Sequence, residues 1–101
     1  MNSQNAQIVL NALHQKFPAM PDVRSLSDEQ KAWLQMKIQL LADSVAPSQT
    51  LLHLQKIGKR LMHATEDIPD DEMQRIVSFV FENMGEIENA VGRVNYGRTE
   101  P

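Results

Sequence analysis

The sequence predicts an all-α protein: an antiparallel up-down four-helix bundle with a short flexible C-terminal tail. Three observations predict it. Apolar residues recur at helical three- and four-residue spacing along nearly the whole chain, and strand-like alternation is nowhere sustained. Prolines and helix-starting residues divide that pattern into four stretches. The later connections between stretches are short, which favours antiparallel neighbours.

The first helix is expected from about Ser3 to Phe17, with Ala6, Val9, Leu10, Leu13 and Phe17 on one face. Pro18 and Pro21 end it because neither can continue the hydrogen-bond ladder, and Pro18 to Leu26 reads as a linker. The second helix opens on Ser27-Asp28-Glu29-Gln30, a capping box in which Ser27 and Gln30 each satisfy the other's backbone amide. Asp28 and Glu29 then meet the positive end of the helix dipole. Leu34, Ile38, Leu41 and Val45 form its stripe, Trp33, Met36 and Leu40 widen it, and Pro47 marks its end.

The third helix is expected from Pro47 or Ser48 to Glu66, with Leu54, Ile57, Leu61, Ala64 and Ile68 as its stripe. Gly58 beside that stripe costs roughly 1 kcal/mol of helix propensity relative to alanine, which a close helix crossing would explain. The fourth helix is expected to be the longest, Asp70 to Val94. Met73, Val77, Val80, Met84, Ile87, Val91 and Val94 form a heptad-like seam, flanked by Phe79 and Phe81. Arg75, Glu82, Glu86, Asn89 and Arg93 fall on its solvated face. Residues 1–94 therefore read as one domain and 95–101 as a flexible tail.

Composition narrows the function. The 101 residues carry a net charge of −3, which argues against a nucleic-acid partner. With no cysteine, neither disulfides nor thiolate chemistry is available. The first residues show no cationic stretch followed by an apolar core, and no apolar run approaches a membrane span, so the cytoplasm is the expected address.

No catalytic constellation is legible, and the chain is not expected to be an enzyme. His14, His53 and His63 lie on different segments and form neither H-x-x-x-H nor the Glu-x-x-His pairs of a di-iron bundle. A closed metal site needs three or four ligands, so no metal or other cofactor is expected. The acids Glu66, Asp67, Asp70, Asp71 and Glu72 surround Pro69, where a calcium loop would have to bend; they read instead as favourable charge at the start of the fourth helix. A nucleophile triad, a P-loop and a dinucleotide fingerprint are absent.

One surface feature stands out. Lys56, Lys59, Arg60 and His63 follow i, i+3, i+4, i+7 and form a basic stripe on the outer side of the third helix, with Leu52 one turn upstream. In an acidic protein this local inversion of sign suits an acidic partner surface or anionic lipid headgroups; the plain alternative is a solvated face.

The layout resembles the immunity proteins of class IIa, pediocin-like bacteriocins, in particular the enterocin A immunity type. Asn5-Ala6-Gln7-Ile8-Val9 with Leu13 is similar to that family's opening helix. Gly85-Glu86-Ile87 and Gly92-Arg93-Val94-Asn95-Tyr96-Gly97 are similar to its closing helix and Tyr-Gly tail. The middle of the chain matches only as helices, and the acidic net charge departs from several basic relatives.

The resemblance implies a cytosolic protein that protects the producing bacterium from its own pore-forming peptide. It would bind the membrane part of the mannose phosphotransferase permease once the bacteriocin has engaged it. Specificity in that family lies in the C-terminal half, so Lys56, Lys59, Arg60, His63, Arg93, Tyr96 and Arg98 become the expected partner-binding residues. A monomer is expected, and peripheral membrane association is compatible with the same surface. The alternative reading is a small helical interaction or regulatory adaptor, of phage type or dimeric through the seam of the fourth helix, and likewise non-enzymatic.

Overall fold

A computed structural model describes residues 3–44 and 48–90. The architecture is all-helical, with no strand among the described residues. The described residues form four α-helices, α1 (Ser3–Lys16), α2 (Asp28–Ser44), α3 (Gln49–Met62) and α4 (Asp70–Glu82), with a 3-10 turn at Val23–Ser25 between α1 and α2. Residues 84–90 are helical again after a turn at Asn83.

The apolar stripes converge on one core. Ala6, Leu10 and Leu13 of α1, Leu34, Ile38 and Leu41 of α2, Leu54 of α3 and Val77 and Val80 of α4 are fully buried. Each such aliphatic side chain contributes roughly 1.5–3 kcal/mol by leaving water. The backbone of α2 lies against both α1 and α3. Its crossing with α3 is close: a Cβ built on Gly58 would stand 2.7 Å from the Cβ of Ala42. The absent side chain at Gly58 is what lets these two backbones approach.

The capping box forms as the sequence predicts. The Ser27 amide donates to Gln30 Oε1 at 2.9 Å, and the Gln30 amide donates to Ser27 Oγ at 3.2 Å. Ser48 plays the equivalent part for α3, its hydroxyl accepting from the Leu51 amide.

One expectation is refined and two are corrected. First, the Pro18–Leu26 segment links α1 to α2 as expected, and it carries local structure of its own. It holds a 3-10 turn whose Val23 is fully buried. Gln74 of α4 grips that turn, accepting from the Val23 amide at 2.8 Å and donating to the Pro21 carbonyl at 3.2 Å.

Second, α3 ends at Met62 rather than Glu66, with His63 as its C-cap. The Ala64 amide reaches back only three residues, to Leu61, so the last turn tightens. Pro69 disfavours helical dihedrals at Ile68, which packs on the core from the loop instead of from a helix.

Third, the long final helix is interrupted. At Asn83 the backbone leaves helical dihedrals (φ −108°, ψ 15°). Its side-chain Nδ2 donates to the Phe79 carbonyl at 2.8 Å, the same oxygen that accepts from its own amide at 3.1 Å. The side chain thus shares a helix carbonyl with the backbone at the point of the break, the local bonding that makes Asn a poor residue for a helix interior. The seam nevertheless continues through it: Met73, Val77, Val80, Met84 and Ile87 are all buried within the single chain. Val91, Val94 and residues 95–101 lie outside the described residues.

Candidate functional site

The rotation of α3 decides what it shows to solvent. Leu51, Leu54, Ile57 and Leu61 face the core. At 100° per residue, Leu52, Lys56 and Lys59 must then face outward. All three are exposed, and Leu52 leaves 46% of its surface in water. His63, also exposed, follows one turn beyond Lys59 as the helix C-cap. None of Lys56, Lys59 and His63 makes an ion pair among the described residues.

Arg60 departs from the expected stripe. It lies rotated toward α4, where its Nε and Nη2 donate to Glu72 Oε2 and Oε1 at 2.9 and 3.1 Å. This bidentate fork holds the Glu72 carboxyl below its ordinary range, with partial burial working against the shift; the same hydrogen bond raises Arg60. Arg60 is thus committed to an α3–α4 tie, which leaves Lys56 and Lys59, with the His63 imidazole beyond them, as the part of the stripe without an ion pair among the described residues. Arg93, Tyr96 and Arg98, the other expected partner-binding residues, lie outside the described residues.

Beside the stripe, α3 and α4 enclose a groove of about 330 Å³ lined by His53, Ile57, Glu72, Arg75, Ile76 and Phe79. Ile57 and Ile76 form its buried floor. The His53 ring stands edge-on to Phe79, centroids 4.5 Å apart. Arg75 is largely exposed at the rim, with Asp71 at 3.8 Å. Reading the sequence missed His53, Phe79 and Arg75 as members of this surface. Phe79 was legible as a flank of the α4 seam and Arg75 as solvated, but their meeting with His53 depends on the pairing of α3 with α4.

Two other surfaces carry charge. Trp33 is half-buried against Phe17, with the Lys16 and Lys37 ammonium groups 5.1 and 5.6 Å from its ring centroid. The start of α2 and the loop before α4 border a second groove, where Lys31 donates to Asp70 at 2.7 Å beside Asp28 and Asp67. That hydrogen bond raises the Lys31 ammonium, against the effect of burial. Among the described residues, no three His, Cys, Asp or Glu side chains are placed to hold a metal ion, and no helix is long and apolar enough to cross a membrane. Compared with protein-family models, curated proteins and solved structures, the chain matches none.

Proposed function

We propose that this chain is a non-enzymatic binding protein that docks on an acidic partner surface through the outer face of α3. The observation that carries the reading is the exposed set Lys56, Lys59 and His63 around exposed Leu52, without an ion pair among the described residues, in a protein whose net charge is −3. A cationic patch inside an acidic surface gives orientation and rate of encounter as well as affinity, because the rest of the molecule repels the same partner.

The fuller form of the proposal follows the resemblance to bacteriocin immunity proteins. In it the chain completes an antiparallel four-helix bundle, works in the cytoplasm, and protects a cell from a pediocin-like pore-forming peptide by binding the bacteriocin-engaged mannose phosphotransferase permease. Arg93, Tyr96 and Arg98 would join the α3 face in that contact. Burial of the α4 seam within one chain supports a monomer over the adaptor that dimerises through it.

Expression in a strain sensitive to pediocin-like peptides tests this directly. Survival against at least one peptide of a broad panel is expected, and its loss in Lys56→Glu/Lys59→Glu with an unchanged melting temperature. No protection against any peptide sinks the immunity role. Protection undiminished by the charge reversal shows that α3 is the wrong face.

A further inference from the structure

Neither packing nor backbone conformation calls for a glycine at Gly85. An added Cβ would meet nothing within 4 Å, and no glycine among the described residues has positive φ. The helix propensity given up there has no counterpart in packing, whereas at Gly58 the close approach of Ala42 supplies one. Two residues earlier stands the break at Asn83. This residue is the C-cap of α4, and its carbonyl accepts from the Ile87 amide at 3.0 Å. One non-helical residue therefore joins two helical stretches, and two poor helix formers fall within three positions of each other.

Open space adjoins the joint. A cleft of about 280 Å³ lies between the end of α1 and the start of the second stretch, with His14, Phe17, Met20, Phe81 and Met84 in its wall. Close packing would hold the joint in one position, and here the packing gives way to a cleft.

The two stretches are also fastened differently. α4 is held by the Arg60 fork, the Lys31 hydrogen bond and the Gln74 clamp. Residues 84–90 enter the core through Met84, Ile87 and Ala90. One polar contact, His14 Nε2 to Glu88 Oε1 at 2.7 Å, ties them to α1, and both of its side chains are partly exposed.

We infer that Asn83–Gly85 is a hinge and that residues 84–90 form a strap, which swings off the core as a unit while α1 to α4 stay folded. The His14–Glu88 contact is its latch. Opening takes Ile87 from complete burial into water and uncovers the apolar surface beneath it, so the strap governs access to that part of the core. None of these residues belongs to the outer face of α3, so the strap and the docking face stand or fall separately.

Amide hydrogen exchange of the full chain, followed by NMR at neutral pH, tests the strap. The amides of Ile87 to Ala90 are expected to share one opening equilibrium, at least about tenfold more open than that of Val77 to Phe81, with a step between the two groups. Asn83→Ala/Gly85→Ala makes the helix continuous and should slow exchange at 87–90 by about tenfold, with a smaller effect on 77–81. His14→Ala removes the latch from α1 and should speed exchange at 87–90 about two- to fivefold, leaving 77–81 unchanged. Lys56→Glu/Lys59→Glu should alter neither group.

Equal protection on both sides of Asn83 would mean one rigid helix and overturns the hinge. Protection that falls smoothly from Phe79 to Ala90 is ordinary end fraying, with the same consequence. If Asn83→Ala/Gly85→Ala slows both groups alike, these residues set global stability and no hinge is present. Exchange at 87–90 indifferent to His14→Ala removes the latch, and with it the strap as drawn.

Discussion

Gly58 and Gly85 show how one substitution takes opposite signs at two helical sites. Both glycines give up helix propensity relative to alanine, by about 1 kcal/mol at most. At Gly85 an added Cβ meets nothing within 4 Å, and no glycine among the described residues has positive φ. Gly85→Ala is therefore expected to stabilise by about 0.5–1 kcal/mol. At Gly58 the added Cβ would stand 2.7 Å from the Ala42 Cβ, which is fixed to backbone and cannot swing aside. The helices must separate, and overpacking of this kind costs about 1–3 kcal/mol, more than the propensity gained. Gly58→Ala should lower the denaturation midpoint, and adding Ala42→Gly should restore part of it. Additive effects of the two changes in a double-mutant cycle would show that this contact does not limit the crossing.

At the level of elements, what was legible depended on whether the signal was local. The capping box at Ser27–Gln30 needs only four adjacent residues, and it forms as written. The Gly58 crossing was legible because a glycine in a helical stripe has a local cost that demands a reason. The 3-10 turn was not legible, since the partner of Val23 is Gln74, fifty-one residues away. Gln74 follows the seam residue Met73 on α4, and nothing in the local pattern singles it out. The candidate site divides in the same way: Lys56, Lys59 and His63 share a face by spacing alone, whereas the turn of Arg60 toward Glu72 and the meeting of His53 with Phe79 depend on tertiary pairing. The Gln74 clamp can be tested. Gln74→Ala leaves the Val23 amide without its acceptor and frees the turn from α4, at a cost of about 1–3 kcal/mol. Amide exchange at Val23 should then accelerate well beyond the change seen across α2. Uniform acceleration would mean that the turn is held by burial of Val23 alone.

Among the described residues, α4 is tied to α2 and to α3 by one ion pair each, and the helical residues after Asn83 are tied to α1 by a side-chain hydrogen bond. Lys31 of α2 meets Asp70, Arg60 of α3 meets Glu72, and His14 of α1 meets Glu88 at 2.7 Å. The backbone of α2 is the one that lies against α1 and α3, while the close backbone neighbour of α4 is the 3-10 turn. The α4 layer should therefore be the part of the fold most sensitive to salt and acid, though exposed pairs of this kind contribute modestly. Glu72 sets the direction for acid. Its carboxyl is held below the usual value of 4.5, chiefly by the Arg60 hydrogen bond. A carboxyl depressed in the folded state adds stability above its unfolded pKa and loses it as pH falls through the folded value. Glu72→Gln should therefore unfold at lower urea than the parent at pH 7, and the two midpoints should converge on acidification below about pH 4. Exchange at α4 amides should rise before that at α1 and α2 as the pH falls. A midpoint difference that stays constant from neutral to acid pH would mean that Glu72 acts through packing in the α3–α4 groove rather than through its charge.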